Sequence, residues 1–227
     1  MTAREWRVKV GEGDVSAVYE AATTGDEGAL FVCAHGAGGS ISDRGTLASA
    51  QAMRDAGFGV VRFNFPYKER KSGRPDAMPM LMNTVAAVVA FTRRELAPAR
   101  MVIGGRSMGG RAASMLAADG FDADGLLLLA YPLHPAGQPE KLRDAHLPRI
   151  QMPVLCINGT RDELCTSALM TEALTAVTAP WQMHWVEGAD HSFHVLKSSG
   201  RTDALVMAEI CAVAAEWLAA VINARRT

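Results

Sequence analysis

The 227-residue sequence predicts an α/β fold: a mostly parallel, doubly wound sheet with helices on both faces and no large cap domain. Three observations carry that prediction. Short runs rich in Val, Leu, Ile and Phe alternate with segments of helical periodicity, the order that parallel strands joined by crossover helices require. The segment Ile103-Gly104-Gly105-Arg106-Ser107-Met108-Gly109-Gly110-Arg111 carries one such run through a glycine-rich turn straight into an Ala-rich helix. Only about 20 residues separate the strand run at 125–130 from the next at 153–158, too few for an inserted helical lid.

Each element follows from its local pattern. Residues 6–10 and 15–19 read as an antiparallel pair joined by Gly11-Glu12-Gly13-Asp14, a turn composition. Residues 30–33 are a buried strand, 46–56 a helix, 60–65 a strand and 79–96 a helix. Between these last two lies a basic loop, 67–74, whose default reading is a solvated charge run and whose competing use is recognition of an anionic substrate or partner. Strand 101–103, helix 111–118, strand 125–130, strand 153–158, a helix starting near Ser167 and strand 181–186 continue the alternation. The final segment, 204–222, is long and apolar. Its charges are Glu209 and Glu216, seven apart and therefore on one helical face, which favours an amphipathic helix covering the sheet over a membrane span.

Composition narrows the classes. A chain of this length with 49% apolar residues buries a substantial core and reads as a single domain, 1–227, with no repeat or low-complexity tract. A net charge of −1 removes the electrostatic case for nucleic-acid binding. Cys33, Cys156, Cys165 and Cys211 show no C-x-x-C spacing, so neither a disulfide framework nor a zinc site is indicated, and a cytoplasmic location is expected. The charged start, 1–7, lacks the apolar core of a signal peptide.

Chemistry enters with Ser107. A serine flanked by glycine two residues away on each side, G-x-S-x-G, marks a sharp strand-to-helix turn that exposes the hydroxyl and identifies a candidate nucleophile. Activation requires a base and a carboxylate, in the chain order Ser, acid, His. Asp162 falls just past the strand 153–158, with neighbouring Glu163 as a rival acid. His191 falls just past the strand 181–186, with His194 as a rival base and Asp190 as a further rival acid. All three loops leave the carboxyl ends of parallel strands and so converge on one edge of the sheet. Ala34-His35-Gly36-Ala37-Gly38-Gly39 follows the strand 30–33 and offers backbone N–H groups to a substrate oxygen. Ala37 is the favoured donor, with Gly38 the alternative, and the Met108 amide supplies the second. His35 reads as structural. The loop 131–152 leaves the same edge, which makes Tyr131 and His134 candidate substrate-binding residues along with Gly38.

Taken together, HGAGG, GGRSMGGRAASM, the segment from Tyr131 to Leu147, GTRDE and GADHSF resemble the small α/β-hydrolases related to dienelactone hydrolase, over roughly Val32 to Phe193. The resemblance implies an α/β-hydrolase fold with Ser107, Asp162 and His191 as a catalytic triad. Dienelactone hydrolase itself uses a cysteine nucleophile, so Ser107 shifts the expectation toward ordinary ester or thioester cleavage. The expected protein is a cofactor-independent serine hydrolase of small esters or thioesters, without metal, monomeric or homodimeric, favouring short acyl chains. The competing class is an interaction module on the same scaffold with its triad unused.

Overall fold

The computed structural model describes residues 3–24 and 28–223; Met1 and Thr2 of the charged N-terminal stretch lie outside the described residues. The chain opens with a hairpin. Strand β1 (Arg4–Val10) pairs with β2 (Gly13–Glu20) from Arg4 opposite Tyr19 to Val10 opposite Gly13, so the turn is Gly11 and Glu12 alone. Gly11 sits at φ 58°, a conformation glycine adopts without steric cost, and Gly13 and Asp14 belong to the strand rather than the turn.

The alternation then proceeds as the sequence patterns predict. It runs β3 (Ala29–Ala34), α1 (Arg44–Asp55), β4 (Gly59–Phe63), α2 (Pro66–Glu69), α3 (Met78–Leu96), β5 (Arg100–Arg106), α4 (Met108–Ala118), β6 (Gly125–Leu129), β7 (Val154–Gly159), α5 (Ser167–Leu174), β8 (Trp181–Val186) and α6 (Asp203–Asn223). The strands form one sheet in the order β1-β2-β4-β3-β5-β6-β7-β8. Its pairings from β4 to β8 are parallel, while β2 runs against both of its neighbours. This is the α/β-hydrolase fold, without a large cap.

Both faces of the sheet are covered, and the period-two alternation of a strand divides its side chains between them. Leu30, Val32 and Ala34 of β3 pack with Leu81, Val85, Val88 and Val89 of α3 and with Ala112, Ala113 and Ala117 of α4. Phe31 and Cys33 face the opposite way, onto a cluster built with Ala50 and Met53 of α1 and Val206, Ile210 and Trp217 of α6. At about 1.5–3 kcal/mol per fully buried aliphatic or aromatic side chain, these layers hold the strands and therefore the loops at their ends. By length and composition α6 would suit a membrane span, yet Val206, Ile210, Ala214, Trp217, Leu218 and Val221 are buried against the sheet. The Trp217 ring lies against Gly125, where a Cβ would come within 2.7 Å of it.

Three segments depart from the sequence pattern. Strand β5 continues through Gly104, Gly105 and Arg106, and α4 starts at Met108 rather than Arg111; low intrinsic propensity at these glycines is overridden by close backbone approach. The basic loop begins as the single helical turn α2, with Pro66 as its first residue, where a missing N–H costs nothing. The loop 131–152 turns inward: Tyr131, Leu133, Leu147 and Ile150 are buried in the α3 and α4 layer, and the Tyr131 hydroxyl donates to the Arg143 carbonyl at 2.9 Å.

Candidate active site

Ser107 occupies the turn between β5 and α4 at φ 47°, ψ −116°, a conformation that costs a non-glycine residue roughly 1–3 kcal/mol. The surroundings over-determine it. Its amide donates to the Leu129 carbonyl at 2.9 Å, and its carbonyl accepts from the Arg111 amide at 2.9 Å. The motif glycines are required by the closeness of β3. A Cβ on Gly105 would overlap the Ala34 carbonyl, and one on Gly109 would lie 2.6 Å from the His35 oxygen.

Parallel β5, β7 and β8 deliver their following loops to the same edge, so residues 55 and 84 positions apart meet there. His191 Nε2 lies 2.9 Å from Ser107 Oγ. His191 Nδ1 lies 3.0 and 2.9 Å from the two carboxylate oxygens of Asp162. That network assigns the proton of the imidazole to Nδ1 and leaves Nε2 as the acceptor for the serine hydroxyl. Asp162 is 3% exposed, so its charge is held by hydrogen bonds rather than by water. Leu164 N donates to one oxygen at 2.8 Å, and the Asn158 amide donates to the other at 3.1 Å.

The rival residues have other work. Asp190 Oδ1 accepts from the amides of Ser192 and His194, forming the turn that carries His191. His194 faces Asp203, with Nδ1 3.0 Å from each oxygen, at the exposed rim. Glu163 is exposed, and the carboxylate on His191 Nδ1 is that of Asp162. His35 is fully buried, its Nε2 accepting from Phe65 N at 3.2 Å and its Nδ1 2.7 Å from the Gly36 carbonyl. Burial keeps its pKa below the ordinary histidine value, so it stays a neutral brace for the glycine loop.

That loop abuts Ser107: a Cβ on Gly36 would sit 3.6 Å from Ser107 Cβ. Its turn is closed by Gly39 N donating to Gly36 O at 3.0 Å, and Tyr67 Oη donates to the Ala37 carbonyl at 2.7 Å. Neither the Ala37 nor the Met108 amide donates to an acceptor among the described residues. A cavity of about 930 Å³ opens over Ser107 and His191; Ala37 and Gly38 line one side, and Ala48 of α1 and Met207 of α6 line another.

Two sequence expectations are corrected here. Tyr131 and His134 do not line this cavity; they are 0% and 3% exposed. The reason is the apolar content of the loop 131–152, whose Leu133, Leu147 and Ile150 draw it into the core, so the cavity wall comes from α1 and α6 instead. Two residues escaped the sequence reading. Asn158, a lone buried amide ending the apolar run of β7, clasps Asp162 and both backbone groups of Tyr131. Arg106, inside the serine motif itself, lines the cavity and reaches the His191 carbonyl.

The sequence matches the family described as Alpha/beta hydrolase domain over residues 27–219, and the chain belongs to that family. Among solved structures, an alpha-beta serine hydrolase homologue from Coxiella burnetii superposes with a TM-score of 0.77 at 19% identity, covering 96% of this chain and 98% of that one. A dienelactone hydrolase from Anabaena variabilis gives 0.72 at 19% identity, covering 95% and 96%. An a/b serine hydrolase without lid from Xanthomonas campestris gives 0.68 at 21% identity, covering 85% and 87%.

Proposed function

We propose that this protein is a single-domain serine hydrolase that cleaves small carboxylic esters or thioesters through an acyl-enzyme. The observation that carries the reading is the continuous chain from Ser107 Oγ through His191 to buried Asp162 at the floor of an open cavity. Ser107 attacks the acyl carbon while His191 Nε2 takes its proton. The free amides of Ala37 and Met108 are the donors for the oxyanion of the tetrahedral intermediate, held rigid in advance by the Gly36 turn and the α4 start. His191 then returns the proton to the leaving group, and in the second half activates water to release the acid. Asp162 keeps the imidazole in the Nδ1–H form and stabilises it when charged.

The route needs no cofactor, and its substrate fits between the Gly36 loop and the first turns of α1 and α6. The cavity walls include Ala48 and Met207, which suits a short or medium acyl group left partly open to water. The four cysteines, Cys33, Cys156, Cys165 and Cys211, are free thiols, and the reading includes a cytoplasmic location. A fluorophosphonate probe tests the reading directly: labelling of wild type at Ser107, lost in Ser107→Ala, is the expected result. A folded wild type that neither labels nor turns over p-nitrophenyl acetate would sink it in favour of an interaction scaffold.

A further inference from the structure

We propose that Arg106 is a positioning residue that fixes the His191 loop against the Ser107 turn, an inference that rests on the nucleophile-and-base reading above. Arg106 precedes Ser107, so its backbone is held by β5 and by the constrained turn. Its side chain crosses to the loop after β8, where Nη2 donates to the His191 carbonyl at 3.3 Å. The guanidinium carbon lies 5.6 Å from the Phe193 ring centroid, a cation–π contact. On its far side the guanidinium abuts Gly45 in the first turn of α1, where a Cβ would collide with Nη1. Phe193 adds an independent sign of constraint. It sits at φ 62°, a left-handed conformation that aromatic residues rarely adopt, and its ring stacks with the guanidinium.

The His191 loop is braced internally by Asp190, through the amides of Ser192 and His194. Among the described residues, two hydrogen bonds join it to the Ser107 turn: the one between Ser107 Oγ and His191 Nε2, and the one from Arg106. The first must be broken and remade in every turnover, since it is the path of the proton. The second is made to main chain and persists throughout. Asp43, whose charge also reaches Arg106, is already engaged by the amides of Ser40, Gly45 and Thr46 and by the Thr46 hydroxyl. The guanidinium is therefore left for the His191 loop and Phe193. A displacement of about 1 Å between reacting groups costs up to ~100-fold in rate, which sets the scale of the expected effect.

The test compares Arg106→Met, Arg106→Lys and Gly45→Ala in steady-state ester hydrolysis and in the rate of fluorophosphonate labelling, with melting temperatures alongside. Arg106→Met is expected to lower kcat by about 10- to 100-fold with KM for a neutral ester within about threefold, and to slow labelling by the same factor as kcat. Arg106→Lys keeps the charge but not the planar fork that stacks and bonds at once, and recovers part of the loss. Gly45→Ala leaves Arg106 in place but pushes its flexible end aside. It is expected to lower kcat in the wild-type background and to add nothing in Arg106→Met. Unchanged kcat in folded Arg106→Met overturns the proposal. So does a loss confined to KM for carboxylate-bearing esters, which would make Arg106 a substrate anchor, and so does full additivity of Gly45→Ala. If Arg106→Met does not fold, Gly45→Ala alone decides, with unchanged kcat as the refuting result. A wild type that never labels fails at the earlier reading and removes this one with it.

Discussion

Ser107 and His191 face each other at 2.9 Å across two loops, and Ser114 and His146 face each other at 2.8 Å beneath α4. The separations are alike, and the surroundings of the two pairs differ. Ser114 Oγ also lies 2.8 Å from the Arg111 carbonyl, which can only accept; with the hydroxyl hydrogen on that carbonyl, the serine accepts from His146 Nε2–H. No carboxylate bonds His146 among the described residues, and burial together with the charges of Arg111 and Arg149 pushes its pKa down to about 4. Ser107 has no such competing carbonyl, and Asp162 fixes His191 with Nε2 open to accept. Ser–His distance alone therefore identifies nothing; what matters is which group holds the other imidazole nitrogen and whether a cavity meets the hydroxyl.

A second contrast isolates the carboxylate. His191–Asp162 and His194–Asp203 share nearly identical bonds from Nδ1 to both oxygens, three residues apart along the chain. The Asp162 side chain is 0% exposed and Asp203 47%. A buried carboxylate orients and stabilises an imidazolium in a low dielectric, whereas an exposed pair is screened and worth little.

The sharpest way to break the first comparison is to remove each serine hydroxyl. Ser107→Ala is expected to lower kcat by about 10⁶-fold in ester hydrolysis, with folding intact by circular dichroism. Ser114→Ala should leave kcat within twofold while destabilising the fold by about 1–3 kcal/mol in urea unfolding, because His146 Nε2 then loses its hydrogen-bond partner. Equal kinetic losses in the two variants would dissolve the distinction.

Next in size is the acid. Asp162→Asn bonds the imidazole but favours the wrong tautomer, and kcat should fall by about 10⁴-fold. Asp203→Asn, measured in the same assay, should change kcat less than threefold, as should His194→Ala. Damage by Asp203→Asn comparable to that of Asp162→Asn would show that the rim pair takes part in the reaction.

The smallest effect is on stability against pH. A histidine held at about 4 in the fold and near 6.5 when unfolded binds its proton first in the unfolded chain. Its contribution is therefore complete above pH 6.5, is lost as pH falls from 6.5 to 4, and changes no further below. The buried His35, also shifted down, acts with the same sign. Unfolding free energies at pH 7 and pH 4 should differ less in His146→Gln than in wild type; an identical difference would mean that His146 is already solvated.

Much of this was readable in the chain because it is local or periodic. The strand and helix alternation follows from patterns of apolar residues, and Ser107, Asp162 and His191 each stand just past a strand, where parallel topology requires loops to converge. Asp162 could be preferred to Glu163 because it is nearer the strand end, and His191 to His194 for the same reason. The misplaced residues are those whose environment depends on what packs above them. The loop 131–152 reads as a surface wall from its connections, and its own apolar side chains pull it inside.

Sequence by itself determined the class of fold, the order of the strands' loops and the residue types brought to one edge, since hydrophobic period, glycine placement and chain order are properties of the chain alone. Tertiary structure decided what no spacing encodes. It placed Ser107 at a left-handed φ against β3, gave Asp162 its Asn158 and Leu164 donors, laid Arg106 across to His191 and Phe193, and built the cavity from α1 and α6. Each of these depends on distances between segments far apart in the chain, and such distances are set only when the two core layers close around the sheet.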